Sequence, residues 1–249
     1  MKRITIILAL IFCFLGLQQA LAAQKVSIAT LNWEPYVGET LPDYGFTSEI
    51  VSAAFKEAGY DPEINFMPWA RAMQMTEKGS YDAAFPAYYS KERAQKYALT
   101  DAFAQGPVVL ASKSDAGISF SEIDDLKPYS IGIVKGYVNG EEFDAADYLN
   151  KDEARNNLQN LKKLLAGRVD LIAIDKVVAV NLLKNNPNVN GNLQDVTFLD
   201  PALDNLSLHV LISRNIDNYK QVLQDFNAAL EKLSNDGTID EILKKRGLK

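Results

Sequence analysis

Two charged residues close apolar segments of this chain, and their types predict the binding of a small charged molecule. Arg93 lies near the end of GSYDAAFPAYYSKERA, residues 79–94, and Asp175 lies near the end of GRVDLIAIDK, residues 167–176. A guanidinium group binds a carboxylate bidentately, and does so best when it is partly desolvated. An acid after a buried strand either caps the next helix or meets an ammonium group. We therefore expect Arg93 and Asp175 to face each other across a cleft.

Aromatic residues and a second arginine extend the set of candidate binding residues. Trp33, Tyr36, Trp69 and Tyr88 each combine an apolar ring with a polar edge, which suits a site that is dry on one side and wet on the other. The same residues could instead be plain core. Arg71 follows Trp69 on a predicted helix, where it is either a second anion contact or an exposed surface residue.

The N-terminus is typical of a secretory signal peptide. Two basic residues precede an apolar run over residues 4–17, and Ala20-Leu-Ala22 offers small residues for cleavage. The run is too short for a membrane span. We therefore expect a signal peptide at residues 1–22 and a protein exported to the periplasm.

The composition of the exported chain argues against several kinds of functional site. Loss of the signal removes the only cysteine, and His209 is the one histidine, predicted to be structural. Metal sites and nucleophile pairs built from cysteine and histidine are therefore not expected. The signal also takes two of 26 basic residues and none of 32 acidic ones, so the exported chain is acidic and a poor nucleic-acid binder. We expect no cofactor, no metal and no catalytic residue.

The order of predicted elements indicates an α/β protein. A first series places strands at residues 25–31, 64–67 and 82–85 and helices at residues 49–58 and 69–77. A second series places strands at residues 129–134 and 171–174 and helices at residues 157–166 and 176–185. Thr47 or Ser48 is expected to cap the first helix. Alternation of strands and helices predicts mainly parallel sheets flanked by helices.

A short pattern occurs once in each series. Gly79-x-x-Asp82 and Gly167-x-x-Asp170 each connect a predicted helix to an apolar strand. One such instance has little meaning, because glycine often ends helices. Two instances predict two lobes that are built alike. In open parallel sheets, ligands bind at the carboxyl ends of the strands, which here carry Arg93 and Asp175.

Six motifs occur in order along the chain: Trp33-x-Pro-Tyr36, Gly45-Phe46, Gly79-x-x-Asp82, Ser90-x-x-Arg93, Gly132-x-x-x-Gly136 and Gly237-Thr-Ile-Asp-Glu-Ile242. This ordered set resembles the family 3 extracellular solute-binding proteins, the periplasmic receptors of ABC importers for polar amino acids. The resemblance covers essentially the whole exported chain.

This resemblance implies a two-lobed periplasmic-binding-protein type II fold, with two hinge strands joining the lobes. Lobe 1 is expected at residues 23–110 and lobe 2 at residues 111–208, with a C-terminal return to lobe 1 at residues 209–249. The lobes would close on a small ligand, an amino acid or related carboxylate. The chain would act as a monomer and deliver the ligand to the permease of an ABC transporter.

The resemblance also implies roles for individual residues. The arginine of Ser90-x-x-Arg93 would pair with the ligand α-carboxylate, and Asp175 with the α-ammonium group. Trp33 would cover the ligand and Trp69 would lie beside it. The turn after residues 129–134 would contact the carboxylate end through Val138 and Asn139.

The sequence departs from the family pattern at the proposed site. Thr47 stands where amino-acid receptors commonly carry aspartate, and Pro86 in the first-lobe strand end has no N–H to offer a ligand. Arg71 adds a second arginine. These departures leave the identity of the ligand open. Two other functions on the same scaffold also stay open. One is an exported enzyme of the cyclohexadienyl-dehydratase type, and the other is a ligand-sensing module for a membrane kinase.

Overall fold

The computed structural model describes residues 23–248, so the signal peptide expected at residues 1–22 lies outside the described residues. Ten strands occur within this range. They are β1 Gln24–Thr30, β2 Tyr60–Phe66, β3 Ala83–Tyr88, β4 Tyr97–Leu99, β5 Ala104–Lys113, β6 Ser130–Val134, β7 Asn150–Ala154, β8 Leu171–Asp175, β9 Val196–Phe198 and β10 Asp204–Ser213.

Eight α-helices and three short 3₁₀ helices connect these strands in the described part of the chain. The α-helices are α1 Phe46–Glu57, α2 Trp69–Glu77, α3 Lys91–Lys96, α4 Glu141–Ala145, α5 Asn157–Leu165, α6 Lys176–Asn185, α7 Tyr219–Asn235 and α8 Thr238–Lys245. The 3₁₀ helices are Pro42–Tyr44, Ile123–Leu126 and Leu193–Asp195. Between residues 23 and 248, no helix combines the length and apolar composition needed to cross a membrane.

The strands form two parallel groups joined by two long antiparallel strands. The hydrogen-bonded order is β2-β1-β3-β10-β5-β8-β6-β7, with β4 on β10 and β9 on β5. Strands β2, β1 and β3 run parallel in one group, and β8, β6 and β7 run parallel in the other. The predicted α/β architecture of two mainly parallel sheets is confirmed.

Strands β5 and β10 are the connection between the lobes. Residues 104–108 of β5 pair with residues 204–208 of β10. Beyond that crossing, β5 continues along β8 in the second lobe and β10 continues along β3 in the first. The boundaries expected at residues 110 and 208 fall inside these two strands and stay a prediction.

Each lobe has its own apolar core. In the first lobe, α7 packs on α1, where the rings of Phe55 and Phe226 lie 4.7 Å apart. In the second lobe, Leu126 and Phe143 are buried on one side of the sheet, and Leu161 and Leu164 of α5 on the other. Burial of apolar surface on both faces explains the continuous apolar runs of β3 and β8.

The repeated glycine and aspartate form the same clamp in both lobes. In the first lobe, Asp82 Oδ2 accepts hydrogen bonds from the backbone N of Ser27 at 2.7 Å and from its Oγ at 2.6 Å. In the second, Asp170 Oδ2 accepts the matching bonds from Ser130 at 2.8 and 2.6 Å. Each clamp ties the aspartate just before β3 or β8 to a serine of the parallel neighbouring strand, β1 or β6. The two lobes are thus built alike at the amino ends of β3 and β8.

The structure corrects the expected start of the first helix. Helix α1 begins at Phe46, and neither Thr47 nor Ser48 caps it; Gly45 stands at that position with φ 96°. A Cβ at Gly45 would lie 2.5 Å from the carbonyl oxygen of Tyr36, so only glycine fits there. Thr47 Oγ1 instead donates to that carbonyl at 2.8 Å. The helix therefore fixes the loop that carries Tyr36.

Candidate functional site

The cation of the site, Arg93, lies at the carboxyl end of the first-lobe sheet. Ser90 caps α3 by accepting a 3.2 Å hydrogen bond from the backbone N of Arg93, which fixes the arginine on the first turn. The guanidinium donates from Nη1 to the Tyr88 carbonyl at 2.6 Å and from Nη2 to the Gly136 carbonyl at 2.9 Å. Its carbon Cζ lies 5.6 Å from the centre of the Trp69 ring, within cation–π range.

Arg93 is only 6% exposed and pairs with no carboxylate in the described part of the chain. Burial lowers the pKa of Arg93 to about 10, and nearby acidic groups partly offset this. The guanidinium is therefore still charged at neutral pH. A buried cation held only by carbonyl oxygens is a strong attractor for an anion.

The anion of the site, Asp175, ends β8 in the second lobe and is 4% exposed. Its Oδ1 accepts a 2.9 Å hydrogen bond from the backbone N of Val178 and so caps α6. Its Oδ2 accepts hydrogen bonds from the hydroxyls of Tyr88 at 2.5 Å and Tyr36 at 3.2 Å. Asp175 therefore caps the next helix and also has polar partners across the cleft.

The electrostatics of this carboxylate are set first by burial. Burial raises the pKa of Asp175, while hydrogen bonds from Tyr88, Val178 and Tyr36 act in the opposite direction. The pKa values of Tyr36 and Tyr88 are also raised, by burial first and by Asp175 second. Both tyrosines consequently stay protonated and serve as hydrogen-bond donors.

The Tyr36–Asp175–Tyr88 contact joins the two lobes. Both tyrosines belong to the first lobe and Asp175 to the second. Gly106 of β5 makes the approach possible, because a Cβ there would lie 2.3 Å from both Asp175 Oδ2 and the Tyr88 hydroxyl. Any other residue at position 106 would push these side chains apart.

A small cavity of about 20 Å³ remains between the lobes beside Arg93. Six residues that surround it are Trp33, Trp69, Tyr88, Arg93, Tyr137 and Val138. Trp33 stacks on Tyr36 at a ring distance of 4.5 Å, and meets Tyr88 and Tyr137 edge-on at 5.6 and 6.4 Å. The cavity is thus lined by the Arg93 cation and by aromatic rings.

The structure places most of the predicted site residues together. Arg93, Trp33, Trp69, Tyr88 and Val138 line the cavity. Tyr36 and Asp175 lie next to Tyr88, to which Asp175 is hydrogen-bonded.

Two predicted residues lie apart from the cavity. Asn139 is buried and donates from its backbone N and its Nδ2 to Asp144, at 2.9 and 3.2 Å, because the turn directs it towards α4. Arg71 is exposed on α2, on the side of the helix away from the buried Trp69 and Ala72. Neither residue is among those that surround the cavity.

Tyr137, Leu31, Pro86 and Leu208 also line the cavity, and none of them was among the predicted site residues. Tyr137 lies in the turn after residues 129–134, which was expected to contribute Val138 and Asn139. Its position directly after the motif Gly132-x-x-x-Gly136 is the sequence signal that could have identified it. Leu31, Pro86 and Leu208 are apolar residues and carry no such signal.

Other chemistry lies outside this site. His209 donates from Nδ1 to the Thr100 carbonyl at 2.6 Å and accepts from the Ser207 hydroxyl at 2.8 Å, which is the structural role predicted for it. Burial lowers the pKa of His209. Among residues 23–248, no group of three or more histidine, cysteine or acidic side chains is arranged to hold a metal ion.

Two lobes, two crossing strands and a charged aromatic site between the lobes define the class of bilobal ligand-binding proteins. Within that class, the chain belongs to the bacterial extracellular solute-binding proteins, family 3, whose family model matches residues 29–248.

A curated relative and several solved structures are similar to the chain. The L-cystine-binding protein TcyA of Bacillus subtilis (strain 168) is 23% identical over 201 residues, covering 81% of this chain and 71% of the relative. An ancestral arginine-binding protein bound to arginine is 20% identical, with a TM-score of 0.75 over 90% of this chain and 98% of that one.

Two further structures show the same fold. The arginine-, lysine-, histidine-binding protein ArtJ from Geobacillus stearothermophilus is 22% identical, with a TM-score of 0.74 over 89% of this chain and 94% of that one. A histidine kinase sensor domain is 15% identical, with a TM-score of 0.78 over 90% and 96% of the respective chains. The predicted type II periplasmic-binding fold is confirmed.

Proposed function

We propose that this chain is the periplasmic receptor of an ABC importer and captures an amino acid or a related small carboxylate between its two lobes. Family membership and relatives that bind L-cystine or arginine support the class of ligand. In this proposal the chain acts as a monomer, is exported by a signal peptide at residues 1–22, and delivers its ligand to a membrane permease.

The observation that carries the proposal is the buried Arg93. Its guanidinium lies at the cleft in an aromatic enclosure, with carbonyl oxygens as its only hydrogen-bond partners in residues 23–248. A ligand carboxylate would supply the missing negative charge through charge-assisted hydrogen bonds. Trp33 and Trp69 would cover the apolar part of the ligand.

Asp175 would receive the ligand ammonium group. Its Oδ2 already accepts from two tyrosine hydroxyls, so an ammonium group would replace or share those donors. Asp175 would then pair with a full positive charge instead of two neutral hydroxyls, which is the stronger interaction. Val138 would contact the carboxylate end, while Asn139 would support the turn from behind.

Closure of the lobes would follow from contacts that a ligand makes with both sides. Arg93 and the two tryptophans belong to the first lobe, and Asp175 and Val138 to the second. A ligand that touches both favours the closed arrangement by its differential affinity. In this proposal Asp175 binds the ligand and takes part in no chemical step.

Two arginines of the same lobe provide the test. We expect Arg93→Ala to abolish the thermal stabilisation produced by amino acids, because a bound ligand raises the melting temperature by mass action. The matched control Arg71→Ala changes an exposed arginine outside the cavity and should retain that stabilisation. Calorimetric titration of amino acids, carboxylates, amines and sugars into the wild-type chain would identify the ligand.

The outcomes separate clearly. Loss of binding in Arg93→Ala alone, with an intact circular dichroism spectrum, supports the proposal. Equal affinities of Arg93→Ala and the wild-type chain for every amino acid and carboxylate would refute it. Loss of affinity in Arg71→Ala would instead make Arg71 a second anion contact.

A further inference from the structure

A wide groove opens next to the small cavity and has the size of a ligand site. Its volume is about 630 Å³, against about 20 Å³ for the cavity beside Arg93. Small-molecule sites in proteins usually span about 300–1,000 Å³. Leu31, Trp69 and Tyr137 line both spaces, so the groove and the cavity are direct neighbours.

The groove lies between the lobes and is apolar on one side. Phe66, Met67 and Trp69 of the first lobe form part of one wall. The second lobe contributes the other wall through the end of β7 and the first turn of α5. A ligand that extends from the cavity into this groove would therefore still touch both lobes.

The second-lobe wall offers positive charge and hydrogen-bond donors. The guanidinium of Arg155 is exposed in the groove and has no ion pair in the described part of the chain. The side-chain oxygens of Gln159 and Asn156 are engaged, because they accept from the backbone N of Arg155 at 2.9 Å and of Gln159 at 2.8 Å. Their NH₂ groups are therefore left as donors. A carboxylate is the group that suits this wall.

The facing wall offers one negative charge. Glu39 of the first lobe lines the groove, and its side chain has no ion pair among residues 23–248. The other charges of the groove, Lys135 and Glu153, lie 3.8 Å apart and compensate each other. The groove thus presents one uncompensated cation and one uncompensated anion on opposite walls. The inner site presents the same combination in Arg93 and Asp175.

We propose that this receptor is specific for an elongated solute that carries an amino-acid group at each end. This inference rests on the proposed function. The first amino-acid end binds at Arg93 and Asp175, and the connecting chain passes along Trp69 and Tyr137. The second end lies in the groove, with its carboxylate at Arg155 and its ammonium group at Glu39.

The experiment compares double-ended and single-ended probes by calorimetric titration of the full exported chain. L-Cystine and diaminopimelate carry two amino-acid ends, whereas L-norleucine carries one end and a comparable apolar chain. We expect the double-ended probes to bind about tenfold more tightly than L-norleucine or better, since a hydrogen-bonded charge contributes that much.

Variants of the groove locate the second end. Arg155→Gln should lower the affinity for the double-ended probes to that for L-norleucine and leave L-norleucine unaffected. Glu39→Gln should lower it in the same selective way. The matched control Arg168→Gln changes an exposed arginine of the same lobe that does not line the groove, and should bind all probes like the wild-type chain.

The results distinguish this inference from the receptor function. Equal affinities for L-norleucine and both double-ended probes, or an unchanged affinity of Arg155→Gln for them, would overturn the inference. If L-norleucine still binds in an Arg93-dependent manner, the receptor function stands without it. If no probe binds and no amino acid stabilises the chain, both proposals fail.

Discussion

Strands β3 and β8 resemble each other at their amino ends and differ at their carboxyl ends. At their amino ends, the clamps Ser27–Asp82 and Ser130–Asp170 agree to within 0.1 Å in each corresponding hydrogen bond. At their carboxyl ends both strands lead into a capped helix, but the side chains that face the cleft differ. Strand β3 ends in Tyr88, whereas β8 ends in Asp175 and passes directly into α6.

The amino-end residues therefore have a structural role within each lobe, whereas the carboxyl-end residues face the cleft. The amino ends must close the same helix-to-strand connection in both lobes, so the same residues recur there. The carboxyl ends face each other, and a ligand between them needs complementary groups rather than equal ones. One lobe therefore brings the cation and the hydroxyl donors, and the other brings the carboxylate.

The largest effect that this comparison predicts is on the acid of the carboxyl ends. Asp175→Asn should weaken amino-acid binding about tenfold to a hundredfold, because it removes the charge that would face the ammonium group in the proposed complex. Carboxylates without an amino group should bind with unchanged affinity. Calorimetric titration of paired ligands measures this. Equal loss for both ligand types would contradict an ammonium contact.

The next effect is on the amino ends and concerns stability alone. Asp82→Ala should lower the free energy of unfolding by about 2 kcal/mol and Asp170→Ala by about 1 kcal/mol, since Asp170 is the more exposed of two equally bonded acids. Urea denaturation measures both. Ligand affinity should be retained. A loss of ligand affinity as large as that of Asp175→Asn would contradict a purely structural role for the amino ends.

A smaller effect, on the balance between the closed and open arrangements, is expected from the Tyr88 hydroxyl, which joins the carboxyl ends of β3 and β8. Tyr88→Phe removes one hydrogen bond to Asp175, so the closed arrangement should lose about 1 kcal/mol relative to the open one. Small-angle scattering of the ligand-free chain should show a larger radius of gyration. Tyr148→Phe is the control, since its hydroxyl bonds to Asp124 and neither residue lines the cavity or the groove. An unchanged radius would mean that this contact does not hold the lobes together.

The most gradual effect is the dependence of binding on pH. Burial raises the pKa of Asp175 above its ordinary value of 3.8, so Asp175 takes up a proton at a higher pH than an exposed aspartate. The neutral carboxyl no longer attracts an ammonium group. Amino-acid affinity should therefore fall as the pH falls, by no more than about tenfold per pH unit. Asp175→Asn should lack this dependence, and an affinity that rises towards acid pH would contradict it.

Much of the fold could be predicted from local patterns. Helices α2 and α6 occupy the residues expected for them, because their apolar spacing and flanking residues are local signals. Strand β7, NKDEA, was missed because it lies at the edge of the sheet and is mostly exposed, so it lacks an apolar alternation. Helix α4 was missed for the related reason that EEFDA buries a single side chain.

Less of the site could be predicted, because its contacts join distant parts of the chain. Asp175 accepts from Tyr36, 139 positions away, and from Tyr88, 87 positions away. No local pattern shows which of several tyrosines reaches an acid at that separation. The same limit applies to the arginines: Arg71 and Arg93 both sit on helices beside aromatic residues, and only packing shows that Arg93 is buried and Arg71 exposed.

The sequence by itself determined the α/β class, the repeat of the two lobes and the charged residues at the strand ends, because periodicity, glycine positions and residue chemistry are properties of short segments. Only the tertiary structure decided which side chains meet. It joined Asp175 to two tyrosines of the other lobe, turned Asn139 towards Asp144, and opened a charged groove beside Trp69. These outcomes depend on how the two sheets approach each other through β5 and β10, and that approach is set by the packing of the whole chain.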